Sequence, residues 1–160
     1  MSTLHPLLDP GTPREAGIIR HLGDADAEFV AAREGAGIFE LSHRERLLFE
    51  GEDCAAFLNR LLTYEVTGLT SGEGARPFLL DARGRIRAAF NLLCLTAERF
   101  WVDTAPGHGE GLCSALDMYH FGERFQTSPL ATHTALSVQG AKAKAVLTTA
   151  GLPTPERPWS

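Results

Sequence analysis

Few side chains in this sequence stand at spacings that do chemistry. Ser42 and His43 are, by type, a nucleophile beside a base. Neighbours on an extended segment point to opposite faces, however, so they make a poor nucleophile–base couple. His120 follows Asp117 by three residues and Leu116 by four, a helical spacing that allows an Asp–His pair; a half-buried imidazole closing an apolar stripe is the plainer reading. Asp24 with Asp26, and Glu52 with Asp53, are acid pairs placed where a helix is expected to start and its dipole favours negative charge. Arg83, Arg85 and Arg87 flank a hairpin tip, a solvated rim that could also steer a carboxylate or phosphate. Cys54, Cys94 and Cys113 lie far apart, with no C-x-x-C pair and no His at ligand spacing, and read as buried reduced thiols rather than a metal or redox site. The glycines from Gly68 to Gly74 lack the Lys-Ser/Thr and the strand-to-helix context of a phosphate loop. No Gly-x-Ser-x-Gly elbow occurs.

Composition narrows the class further. The chain has 160 residues, 20 acidic against 15 basic, and is 44% hydrophobic, enough for one domain with a real core or one domain with a small accessory piece. Basic residues are scattered among acids, which argues against a nucleic-acid face. No apolar run approaches the roughly 20 residues that span a bilayer. Met1 to Gly11 has neither the basic nor the apolar run of a signal peptide, so a cytoplasmic location is expected.

The elements that must position any site follow from periodicity and punctuation. Residues 1–23, rich in Pro and Gly, read as an extended arm. Asp24 or Asp26 caps a short helix from Ala27 to Glu34, with Phe29, Val30 and Arg33 in register and Gly35 as its stop. Gly37 to Ser42 and Leu47 to Glu50 read as strands. Cys54, Phe57, Leu58, Leu61 and Leu62 keep the i, i+3, i+4, i+7, i+8 pattern of an amphipathic helix. Three strands then form a meander: Phe78–Leu80, Ile86–Leu95 and Phe100–Val102. The first turn, Asp81-Ala82-Arg83-Gly84, has the acid opener and late glycine of a type I turn with a bulge. A second helix carries Leu112, Ala115, Leu116, Tyr119 and His120 on its buried stripe and stops near Gly122. A last strand, Thr134–Gln139, and a helix, Ala141–Thr149, precede a structureless tail. The fold class expected is α+β: a mainly antiparallel sheet with helices on one face, around a ferredoxin-like split β-α-β core. The boundaries expected are an arm with a short helix and strand (1–45), an α+β domain (46–151) and a tail (152–160).

The run from Ala31 to Gly74, with Arg33, Gly37, Ser42-His43, Gly51-Glu52-Asp53 and Leu62-Thr63-Tyr64-Glu65-Val66, resembles the N-terminal part of the glycine-cleavage T-protein (aminomethyltransferase) family and its YgfZ-type folate-binding relatives. The hairpin "FLLDARGRIRAAFNLL" and the later "LSVQGAKAKAVL" stand in the places expected, with Ala141 where the family usually has proline. The resemblance extends from about Ala31 to Leu147. It implies a tetrahydrofolate-binding fold, with Arg44, Arg76, Asn91 and Asp103 as the candidate folate-contacting residues and no candidate catalytic or metal-binding residue.

The same resemblance implies that the acid used for one-carbon transfer falls at Ala88 or Ala89, with no neighbouring carboxylate in its place. The family's tyrosine before the hairpin falls on Arg76, and its asparagine on the following strand falls on Asp103. The Lys-Gly-Cys motif of the YgfZ-type branch, which is implicated in iron-sulfur protein maturation, does not occur. Three readings follow, in this order: a folate-binding-like module that is non-catalytic or related to iron-sulfur maturation; a ligand-free interaction or assembly domain; and a folate-dependent aminomethyltransferase whose acid comes from elsewhere. The chain ends where the family continues, as a fragment or a short stand-alone member. A stand-alone member is expected to self-associate through uncovered sheet edges or apolar faces.

Overall fold

Gly51 and the Asp81–Gly84 turn cut the middle of the chain into the pieces from which its sheet is built. The computed structural model describes residues 11–12, 14–15, 18–130 and 135–154. Their contacts divide them into two compact units, one from Met1–His43 with Thr132–Glu156, the other chiefly Arg44–Ala131. The division differs from the sequence boundaries, because Leu136–Gln139 and Ala143–Thr149 group with the first unit rather than with residues 46–131.

In the first unit, β1 (Arg14–Glu15) pairs with β2 (Ile18–Ile19), followed by α1 (Ala25–Glu34) and β3 (Gly37–Glu40). Asp24 caps α1 as expected: its Oδ1 accepts from the amides of Asp26 and Ala27 at 2.9 and 3.2 Å. Phe29 and Val30, the apolar residues in register on this helix, are exposed. The unit's other strand and helix, Leu136–Gln139 and Ala143–Thr149, come from the end of the chain. Leu136–Gln139 pairs antiparallel with β3, and Ser42 Oγ accepts from the amide of Ala135. Ser42 is therefore engaged in joining two segments. Residue 134 and the tail beyond 154 lie outside the described residues.

The second unit holds all the buried apolar side chains among the described residues. Its elements are β4 (Glu45–Glu50), α2 (Cys54–Leu61), β5 (Gly74–Ala75), β6 (Phe78–Leu80), β7 (Ile86–Thr96), β8 (Arg99–Thr104), α3 (Gly109–Asp117) and β9 (Gln126–Pro129). The strand and helix of the first unit that follow in the chain are β10 (Leu136–Gln139) and α4 (Ala143–Thr149). The sheet order is β5-β7-β8-β4-β9, antiparallel throughout, with β6 also on β7. With α2 joining β4 to β7 and α3 joining β8 to β9, this is the split β-α-β arrangement.

One strand differs from expectation. The fourth strand of that core is β9, and β10 pairs elsewhere. Gln126-Thr127-Ser128-Pro129 carries no apolar alternation, so periodicity passes over it. As an edge strand it needs none, and Pro129 at its end tolerates the missing amide.

One face of the sheet forms the core. Leu47, Phe49, Phe90, Leu92, Cys94, Phe100 and Val102 pack there against Cys54, Phe57 and Leu58 of α2 and Leu112, Ala115 and Leu116 of α3. Tyr119, expected on that stripe, lies beyond the helix and is exposed. His120 sits edge-on to Phe57 and Phe125, both at 5.9 Å, and its Nε2 donates to the Glu123 carbonyl. This is the plainer of its two readings. The turn after β6 forms as its residues dictate: Gly84 has φ +76°, and Asp81 Oδ1 accepts from the amides of Arg83 and Arg85. The start of α3 is capped from across the chain, Glu45 accepting from the amides of Gly107 at 2.7 Å and Gly109 at 2.6 Å. A side chain at position 109 would run into that carboxylate.

Glu123 receives the Arg60 guanidinium and the amides of Phe121 and Gly122. The Arg60 bond first, then those amides, pull its carboxyl from the usual 4.5 down to about 2. Because the folded pKa is depressed, its contribution to stability is complete above pH 4.5 and is lost as pH falls toward 2. Glu123→Gln is therefore expected to melt below wild type at neutral pH, with the gap closing between pH 4.5 and 2. Paired thermal melts across that range check it; a gap independent of pH counts against the assignment.

Candidate functional site

The face of the sheet opposite the core is where polar chemistry collects. Alternation along β4, β7 and β8 turns Arg46, Leu48, Ala89, Asn91, Leu93, Trp101 and Asp103 to this side. Register then sorts them into rows. Arg46 stands opposite Asp103, and Asp103 opposite Asn91; the next row joins Leu48, Trp101 and Leu93. Ala75 pairs with Leu92 and Phe78 with Ala89, so the intervening register sets Arg76 across from Asn91. A polar row thus crosses β4, β8 and β7 beside an apolar one, with Arg76 in the segment between β5 and β6.

Its centre is the Asp103 carboxylate. Arg44 Nε lies 2.8 Å from Oδ2 and 3.0 Å from Oδ1, and Asn91 Nδ2 donates to Oδ2 at 2.8 Å. Arg44 and Asp103 are each about a quarter exposed, so the pair is shielded yet reachable. Arg44, Asn91 and Asp103 are brought into direct contact from positions 59 and 12 residues apart. Arg76 is exposed and joins them by register alone. Arg46, buried in the same row, was missed because the strand was read as starting only at Leu47. Stepping back by two from Glu50 and Leu48 would have found it, since β4 starts at Glu45.

The positions where an acid was sought are now distinguishable. Ala88 packs against the core, whereas Ala89 is exposed on the polar face. Asp103, paired with Asn91, shares that face one strand over.

Other candidates resolve into structural roles. Burial pushes the Cys54 thiol up to about 12 and raises Cys94 as well, far from thiolate reactivity. Arg83, Arg85 and Arg87 are exposed, with Arg85 bound to Asp81. Asp53 accepts from the Arg124 amide, the main reason its pKa is lowered, and makes no side-chain cap on α2. Among the described residues no group of three or more His, Cys, Asp or Glu could hold a metal ion. None of the described helices is long and apolar enough to cross a membrane.

Comparison with known proteins decides the kinship. Residues 21–153 match the family model described as the GCVT N-terminal domain. The chain belongs to this family. The glycine cleavage system aminomethyltransferase T from Bartonella henselae superposes with a TM-score of 0.72 at 30% identity, over 82% of this chain and 36% of that one. An aminomethyltransferase from Nitrosococcus oceani is 26% identical over 126 residues, 78% of this chain and 34% of the relative. A probable aminomethyltransferase from Natronomonas pharaonis is 40% identical over 57 residues, 36% of this chain and 16% of its own. This member of the family therefore spans about a third of the first two relatives' length. The α+β fold and the T-protein kinship inferred from sequence are as found.

Proposed function

We propose that the Arg44–Ala131 unit is a folate-binding module that holds its ligand without carrying out one-carbon transfer. The observation that carries this reading is the pairing of an intact polar cluster, Arg44–Asp103–Asn91, with alanine at both positions where the T-protein acid would fall. Tetrahydrofolate is the ligand class the relatives' activity implies, and the donor set suits it. The Asp103 carboxylate is a hydrogen-bond acceptor; among the described residues Oδ2 takes two donors and Oδ1 takes Arg44, and an N–H of a ligand is the kind of group such an acceptor suits. Asn91 and Arg44 keep that carboxylate oriented, and Arg76 supplies a cation to the same row. Ala89 has no group to hold or move a proton, and Asp103 is already neutralised by Arg44. Transfer chemistry is disfavoured for that reason.

A thermal melt with tetrahydrofolate or its 5-formyl analogue tests the binding. A ligand at about 100 times its Kd stabilises by about 2.7 kcal/mol, several degrees of Tm for a chain of this size. No shift at millimolar ligand removes the reading. Measurable glycine-cleavage exchange with the same protein would replace it with the aminomethyltransferase alternative.

A further inference from the structure

The two-stranded sheet of the first unit has an edge that its own backbone leaves open. Among the described strands β10 pairs with β3 alone. The Leu41 amide donates to the Ala135 carbonyl at 2.8 Å, which makes positions 41 and 135 a hydrogen-bonded pair of the ladder. Alternation gives Phe39 with Ser137, and Gly37 with Gln139, the same role. The backbone groups of Leu136 and Val138 therefore point outward, away from β3. Their side chains share a face with Ile38, and Leu136 and Ile38 are 61% and 58% exposed. A side chain at Gly37 would meet Ala32 of α1, so α1 lies on the opposite face, the one that carries Phe39 and Ser137.

We infer that β10 pairs with the β10 strand of a second copy of this chain, antiparallel about a two-fold axis at Ser137. Each Leu136 then stands opposite a Val138 of the other copy, and every outward amide of the two strands meets an outward carbonyl. Leu136, Val138 and Ile38 of both copies join in one apolar strip, while Ser137 meets Ser137 on the other face. Leu136-Ser137-Val138-Gln139 carries no charge, and the chain has a net charge of -5, so this edge is where two copies approach with least repulsion. It also lacks the Lys or Pro that keeps strand edges apart. Two other edges are less suited. A two-fold at Phe39 would set the Glu40 carboxylate opposite Ile38. On β9 the Leu130 amide donates to the Arg46 carbonyl, which turns Thr127 and Pro129 outward, and Pro129 has no amide to offer. A four-residue edge buries less than the roughly 1,200 Å² at which stable interfaces begin. The dimer is therefore weak, with a Kd on the order of tens of micromolar, and it does not depend on the folate reading.

The experiment is sedimentation velocity of the full chain from low to high micromolar concentration, for wild type, Val138→Pro and Leu136→Lys, each first shown by circular dichroism to fold. Wild type should shift from monomer to dimer across that range. Val138→Pro removes an outward amide and leaves the ladder to β3, which runs through Ser137 and Gln139, so it should weaken the dimer about tenfold or more without unfolding the chain. Leu136→Lys reaches the same end through like charge on both sides of the axis. Ser137→Cys gives an independent reading. Non-hydrogen-bonded partners approach to Cα separations of about 4.5 Å, within disulfide range, so mild oxidation should yield a covalent dimer. Gln139→Cys, which stands opposite Ala135 of the other copy, should yield no more than wild type with its own three cysteines. A monomer at every concentration overturns the inference. So does a dimer that neither Val138→Pro nor Leu136→Lys weakens, or cross-linking as strong from Gln139→Cys as from Ser137→Cys.

Discussion

Gly51→Ala is expected to cost at least about 3 kcal/mol, lowering Tm by roughly 10 °C. Gly51 joins β4 to α2 at φ +139°, a conformation that L residues rarely adopt. Its amide donates to the Glu98 carbonyl, and its own carbonyl accepts from the Cys54 amide at the first turn of α2. A Cβ there would lie inside the Arg124 carbonyl, with Phe125 Cα close behind. Relief requires pulling the 124–125 segment away, and Phe125 is packed on Phe57 at 4.5 Å and Phe49 at 5.6 Å. Gly72→Ala separates the two causes: its φ is +87°, but a Cβ meets nothing within 4 Å. That variant should lose only about 1–2 kcal/mol of backbone strain. Thermal melts of the two proteins check the contrast, and equal losses would show that the clash contributes nothing.

Asp103→Ala is expected to have the largest effect on binding. It removes the acceptor shared by Arg44 and Asn91 and leaves a partly shielded guanidinium without its counter-charge. The stability loss should be about 1–3 kcal/mol. Folate affinity should fall by roughly 30-fold or more, the equivalent of about 2 kcal/mol. Asp103→Asn keeps one oxygen acceptor for Asn91 but gives up the charge, so its stability should fall between those of Asp103→Ala and wild type. Urea unfolding measures the first quantity and ligand titration the second. A folded Asp103→Ala protein with unchanged folate affinity would dissociate the cluster from the site.

Much of this molecule was legible one segment at a time. The apolar stripe of α2, the Asp24 cap and the Asp81–Gly84 turn each depend on residues within one or two turns of one another. Local hydrogen bonds and side-chain periodicity determine such pieces, and they came out with ends shifted by only a few residues. Edge strand β9 escaped because its Gln-Thr-Ser-Pro run has no apolar face to betray it. The same limit applied to Phe29 and Val30, whose helical spacing was real but whose burial depends on what packs against them.

The candidate site divides in the same way. Resemblance put Arg44, Arg76, Asn91 and Asp103 forward as separate positions, and nothing in the chain order says that three of them touch. Strand pairing decides that: β8 lies between β4 and β7, so a residue before position 45 and others at 91 and 103 meet on one carboxylate. Pairing is set by long-range burial of Leu47, Leu92 and Val102 on the far face, and the polar row follows because side chains alternate. The sequence by itself determined the family, the α+β class and the lack of an acid at positions 88 and 89. Only the tertiary structure decided that Ala89 is the exposed one of the two alanines, that Asp103 shares its face opposite Asn91, and that the Phe78 backbone is bound to Thr63, because each of these is a relation between segments.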